Sequence, residues 1–287
     1  MTRVKEYSNQ RRKGFAIRIV LSAVLLAVIG FSGRQLWKIQ DTYTTEEHIH
    51  QSVMIYKPAQ VKHEPSVPVI TGETPVVSPG EEAAASPATA PEKPVIFNQS
   101  IADLKLLNSD AIGWVTINDT YIDYPFVLGE DNIFYLRRNI NKEQAGAGTV
   151  FMDYRCSPDF SDFNTILYGH NMKNGSMFHD LTAFRSQEFF DTHTTGTIYL
   201  EDAIFDLYIF AYLVVQPTDW AAFLEKDAVD TETSALLSYL KANAQNLRDA
   251  PMVPGLRFVT LSTCTYEFED ARAVIVATLS ESVTFME

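Results

Sequence analysis

Two runs near residue 270, Arg257 to Thr263 and Ala271 to Leu279, admit little but β-structure. β-Branched, aromatic and other apolar residues dominate them, and neither Gly nor Pro interrupts. Between them lies a polar, acidic stretch, Glu267-Phe268-Glu269-Asp270, that suits a turn. Folded as a hairpin about Phe268, the segment sets Cys264 nearly opposite Arg272. Directly paired cross-strand residues have Cβ atoms roughly 5 Å apart. A thiol at a strand end beside a guanidinium suits thiolate formation and the holding of an oxyanion.

Six further runs read as strands: Gly113–Ile117, Tyr121–Val127, Thr149–Asp153, Asn164–Gly169, Thr197–Glu201 and Ile204–Val215. Short turn signals between several of them, Asn118-Asp-Thr120 and Glu201-Asp-Ala203, predict mostly antiparallel hairpins. Helical patterns occur at Ser100–Leu107, capped by Ser100 or Asn98, at Ser176–Phe184, and over Thr231–Leu247. Eight strands with few helices predict a mainly β domain, closed or sandwich-like, beginning near Ile96 and occupying 96–287.

Ahead of that domain the chain changes character twice. Arg3, Lys5, Arg11, Arg12 and Lys13 form a basic head over 1–14. The stretch from Phe15 to Phe31 is apolar apart from Arg18 and Ser22 and sits at the short limit for a membrane span, so 15–32 is expected to anchor the chain. A cleaved secretory signal is the competing interpretation, but no small-x-small site follows cleanly. Either way the remainder is exported, with the basic end cytoplasmic. Residues 33–95 are expected to be an extracellular tether, because eight of the 13 prolines fall between Pro58 and Pro94. Asp41 to Tyr56 suits a short helix continuing from the anchor.

The stretch from Met1 to Lys38 holds eight Lys/Arg against one Glu, +7, so the rest must carry −20 to give the net −13. A domain that acidic is a poor partner for nucleic acid. Two cysteines build no disulfide framework. Cys156, in Asp153-Tyr-Arg-Cys-Ser-Pro158, has no neighbour at metal-ligand spacing and reads as a loop thiol. Asp131, Asp153, Asp159 and Asp162 lack calcium-loop spacing. No metal and no cofactor is expected.

A lone thiol is more often structural than reactive, but Cys264 ends a strand, faces a basic partner, and follows the hydroxyls of Thr260, Ser262 and Thr263, candidates for binding substrate. A second constellation is Asn164-Thr-Ile-Leu-Tyr-Gly-His170, where a strand gives way to the loop Asn171–Gly175. His170 suits acid–base work near neutral pH. His48, His50 and His63 fall in the tether, while His179 and His193 read as structural or exposed. A cysteine nucleophile with a sequence-distant histidine is a known constellation.

Thr260-Leu-Ser-Thr-Cys264, an arginine on the next strand, and Tyr-Gly-His170 upstream together resemble the sortases, cysteine transpeptidases of the Gram-positive surface. Leu104 to Thr116 (LKLLNSDAIGWVT), Ile122-Asp-Tyr-Pro125, Phe151-Met-Asp-Tyr-Arg155 and Tyr168-Gly-His-Asn-Met172 with Ser176-Met-Phe178 are similar to class B, over roughly 98–280. The resemblance implies an eight-stranded sortase β-barrel behind the membrane helix and tether. It implies Cys264 as nucleophile, His170 as general acid/base and Arg272 as oxyanion and substrate stabiliser. It further implies partners: surface proteins bearing a C-terminal sorting signal of Leu-Pro-x-Thr-Gly or Asn-Pro-x-Thr-Asn type, and a peptidoglycan-precursor amine. Ile204–Val215 and Gln216–Pro254 would wall the substrate groove. Three alternatives stay open: a pilin-polymerising sortase, a cysteine peptidase that releases the acyl group to water, and a non-catalytic surface-binding domain.

Overall fold

A computed structural model of the chain describes the backbone of residues 2–59, 97–224, 234–249, 255–264 and 271–282; side chains are described from residue 21 onward, except at 217, 221, 222 and 264. The expected turn about Phe268 and the proline-rich stretch 60–96 lie outside the described residues. Residues 1–49 and 50–287 form two compact units.

Nine strands are described: β1 (Ala111–Ile117), β2 (Asp123–Leu128), β3 (Val150–Met152), β4 (Asn164–Tyr168), β5 (Thr195–Tyr199), β6 (Ile204–Val215), β7 (Asn246–Leu247), β8 (Arg257–Cys264) and β9 (Arg272–Glu281). They run in the order β5-β1-β2-β3-β4-β8-β9-β6-β7, and β5 also pairs with β6. That last pairing closes eight strands into a barrel. The two-residue β7 is an addition on the second half of β6, beyond the reach of β5. Among the described residues, closure leaves no long unpaired edge. The eight-stranded, mainly β expectation agrees with the architecture. The antiparallel one needs amending: β2–β3 and β4–β8 are parallel. Parallel neighbours demand long crossovers, and no local turn signal announces which strands they join.

The barrel is filled because its central strands carry apolar residues on both faces. From Ala273 to Leu279 every residue of β9 is buried, and so is every residue of β8 from Phe258 to Thr263. This double burial explains why both read as unbroken apolar runs rather than as an alternation. The helices are α1 (Thr2–Val53), α2 (Gln99–Leu107), α3 (Gln187–Thr192) and α4 (Ala235–Asn243). Around Ser176–Phe184 the expected helix is replaced by a loop and a 3-10 segment, His179–Arg185. The left-handed backbone of Met177 (φ 60°) and the Asn171–Met177 bridge hold that loop.

The region expected to be tether is partly ordered. α1 runs to Val53, and residues 50–59 belong to the barrel unit. Val53 is buried, the His50 ring lies 4.7 Å from that of Tyr124, and Lys57 pairs with Asp123. The prolines that argued for an extended tether begin only at Pro58. Residues 50–56 have apolar surface to bury, with Val53 buried and Met54 and Tyr56 half-buried. Among the described residues no helix is long and apolar enough to cross a membrane. The apolar run expected to do so begins at Phe15, ahead of the first described side chain.

Candidate active site

The site is set at one end of three adjacent strands. β8 lies between β4, parallel to it, and β9, antiparallel to it. The β8–β9 register ends with Cys264 paired directly to Arg272. On the other side Tyr168 pairs with Ser262, and the ladder continues through the Gly169 N–H donating to the Ser262 carbonyl at 3.1 Å. His170 stands two residues beyond Tyr168, and Cys264 two beyond Ser262, on strands spaced about 4.8 Å apart. Topology therefore brings two residues far apart in sequence to neighbouring strand ends.

His170 is held by its surroundings. Its Nε2 lies 2.7 Å from the carbonyl oxygen of Leu136, in the 3-10 segment Phe134–Arg137. A carbonyl accepts only, so Nε2 carries the proton and Nδ1 is left for proton exchange. The His170 carbonyl in turn accepts from the Phe178 N–H at 2.9 Å. Gly169 is required here: a Cβ on it would lie 2.6 Å from Cγ of the fully buried Phe178 ring.

Arg272 sits against two rings. Its guanidinium carbon is 5.7 Å from the Tyr168 centroid and 5.6 Å from that of Trp220. Among the described residues no carboxylate lies within ion-pair distance of it, so its donors are left for other acceptors. Trp220 Nε1 donates to the Tyr168 hydroxyl at 3.0 Å, which donates to Asp153 Oδ2 at 2.9 Å. Burial pushes the Tyr168 hydroxyl's pKa up, and the Asp153 carboxylate pushes it further, so it stays a donor. Burial by itself would raise the pKa of Asp153, but hydrogen bonds outweigh it. The Arg155 side chain and backbone N–H, the Tyr168 hydroxyl and the Asn132 amide together hold that carboxyl below its ordinary value.

Other expected site residues fall elsewhere. Thr260, Ser262 and Thr263 are interior, at 0–1% exposure, and present no surface to a peptide. Thr260 donates to Asn164 Oδ1 at 2.9 Å, while Asn164 Nδ2 donates to the Phe223 carbonyl at 2.8 Å. For Thr260 and Ser262 the reason is coverage: they share the face of Asn164 and Tyr168, over which the 3-10 segment Pro217–Leu224 closes, whereas Thr263 alternates to the opposite, equally buried face. Cys156 lies in the loop between β3 and β4, as expected, and is buried there, its Sγ 3.9 Å from the Asn164 carbonyl. His179 bonds Asn171, and His193 stacks on Phe189 at 3.6 Å. Both are structural. Sequence reasoning missed three participants. Tyr168 lies inside the Tyr-Gly-His motif and Trp220 inside the expected groove wall, but the Leu136 contribution is a backbone carbonyl, which no residue type announces.

Comparison with known proteins identifies the family. The family model for the sortase domain matches residues 115–280. Sortase B of Listeria monocytogenes is 38% identical over 178 residues, covering 61% of this chain and 72% of that protein. The structure of Clostridium perfringens sortase B superposes with a TM-score of 0.58 at 32% identity, covering 62% of this chain and 98% of that one. A Streptococcus pyogenes class B sortase involved in pilus biogenesis gives 0.57 at 30%, covering 62% and 97%. With a matching fold, the sortase domain model over more than half its length and class B relatives on both comparisons, the chain belongs to the sortase family, in class B.

Proposed function

We propose that this cell-wall-sorting cysteine transpeptidase works through Cys264 as nucleophile, His170 as general acid and base, and Arg272 as the holder of the oxyanion. The observation that carries the reading is the register: Cys264 paired with Arg272 on one side, and β4 delivering His170 on the other. The Cys264 thiolate attacks the threonine carbonyl carbon of a sorting signal, and the carbonyl oxygen becomes an oxyanion facing the guanidinium of Arg272. A permanently charged fork of donors suits that task at any physiological pH. Nδ1 of His170, which takes the Cys264 thiol proton as the thiolate forms, passes that proton to the leaving amine, the C–N bond breaks, and a thioester remains. A peptidoglycan-precursor amine then attacks the thioester, His170 takes back the proton, and the thiolate leaves. The thioester keeps the acyl group activated, so transfer needs no ATP.

The substrates of this reading are surface proteins with a C-terminal Leu-Pro-x-Thr-Gly- or Asn-Pro-x-Thr-Asn-type signal. Residues 15–32 anchor the enzyme in the membrane with the basic head inside and the barrel outside, as the apolar run behind five basic residues supports. Release of the chain from membranes by alkaline carbonate would remove that anchor.

The test is intact mass of the full chain, purified in detergent and incubated with peptides of either signal type. The expected result is a covalent acyl adduct, lost in Cys264→Ala and cleared by an added amine. Clearance by water alone at the same rate would make the enzyme a peptidase. An adduct cleared by a pilin lysine rather than a precursor amine would place it with the pilus-building sortases. Unchanged cleavage by Cys264→Ala would sink the assignment.

A further inference from the structure

An arginine that must meet an oxyanion faces a conflict. It has to be fixed in place, yet a carboxylate partner would fix it by occupying the donors the oxyanion needs. Aromatic faces resolve this, because they attract a cation without taking its N–H groups. The guanidinium carbon of Arg272 lies over two rings, 5.7 Å from the centroid of Tyr168 and 5.6 Å from that of Trp220. The two rings are themselves locked. Their centroids are 5.9 Å apart, and the Trp220 indole N–H donates to the Tyr168 hydroxyl. That hydroxyl ends on Asp153, a fully buried carboxylate also bound by Arg155 and Asn132. Trp220 reaches the site on the Pro217–Leu224 segment. It stacks on Phe223 at 4.9 Å, and Asp219 of the same segment accepts from Tyr239 of α4 at 2.9 Å.

Building on the catalytic assignment of Arg272, we propose that Tyr168 and Trp220 are positioning residues. They form an aromatic cradle, backed by the buried Asp153, that aims the Arg272 guanidinium while leaving its donors to the substrate. The cradle acts on the transition state and not on the rest of the peptide, so its loss appears in kcat rather than KM.

The experiment is steady-state acyl transfer by the full chain in detergent, with Trp220→Ala, Trp220→Phe, Arg272→Ala and the Trp220→Ala/Arg272→Lys pair. Trp220→Ala is expected to lower kcat about tenfold with KM within about twofold, the scale of a partly desolvated cation–π contact. Trp220→Phe keeps a ring face and restores most of that loss. On an Arg272→Lys background, Trp220→Ala costs little more, because the cradle no longer holds a guanidinium. Wild-type kcat in Trp220→Ala beside an inactive Arg272→Ala overturns the cradle and leaves the catalytic role of Arg272 standing. Wild-type kcat in Arg272→Ala overturns that role itself. Equal losses in Trp220→Ala and Trp220→Phe, tracking a lower melting temperature, make Trp220 merely structural and overturn the cradle too.

Discussion

Replacing Gly169 with alanine tests how tightly His170 is placed. The added Cβ would lie 2.6, 2.7 and 3.1 Å from Cγ, Cδ2 and Cδ1 of Phe178. Ordinary carbon–carbon contact is about 3.5 Å, so strand and ring must part by roughly 0.9 Å. The ring cannot simply swing away. Phe178 is fully buried, and its N–H donates to the His170 carbonyl at 2.9 Å. Retreat of either partner therefore moves the residue that carries the imidazole. Overpacking of this kind costs about 1–3 kcal/mol. In a domain of this size that lowers the melting temperature by roughly 2–12 °C. A shift approaching 1 Å at a reacting group costs on the order of 100-fold in rate, so kcat/KM is expected to fall at least about tenfold. Thermal melts and peptide-transfer kinetics on Gly169→Ala read both effects, and a second change, Phe178→Leu, should return part of the activity by removing the ring. If Gly169→Ala melts at the native temperature and turns over at the native rate, the packing argument is wrong.

Two other outcomes follow from the same site. Asp153 has a folded-state pKa below its unfolded value, so its contribution to stability is present above the ordinary carboxylate range and is lost as pH falls through the lowered value. Asp153→Asn is expected to destabilise by about 2–3 kcal/mol at neutral pH, the half-exposed Arg155 being able to recover water, and to flatten the acid limb of a stability–pH curve; an unchanged acid limb would count against the linkage. Arg272→Lys is expected to lose most transfer activity, since an ammonium reproduces neither the planar donor fork nor its fit to two rings. Near-native turnover in that variant would remove the oxyanion role.

The strands were legible because their signal is local. Ile204–Val215 appears with the same limits in sequence and structure, and the other seven runs differ from their strands by a few residues at the ends. The Cys264–Arg272 pairing was legible for the same reason: a short connection between two strong strands constrains their register. The helix at 176–184 was not, because an apolar spacing there serves a loop held by Met177 in a left-handed conformation. The burial of the Thr260, Ser262 and Thr263 hydroxyls was not legible, because nearness to a cysteine in sequence does not show that both faces of its strand will be covered.

The sequence by itself thus determined the strand content, the hairpin joining Cys264 to Arg272, and the family to which the chain belongs. All three depend on contacts between near neighbours or on motifs read residue by residue. The tertiary structure alone decided that β4 lies parallel to β8, which brings the ends of the strands carrying His170 and Cys264 side by side. It alone brought the Leu136 carbonyl to the imidazole and Trp220 to Arg272. Both contacts join residues far apart in the chain, and closing such loops is repaid only by burial of the whole barrel. No short stretch of the chain encodes them, because their stabilisation belongs to the assembled core.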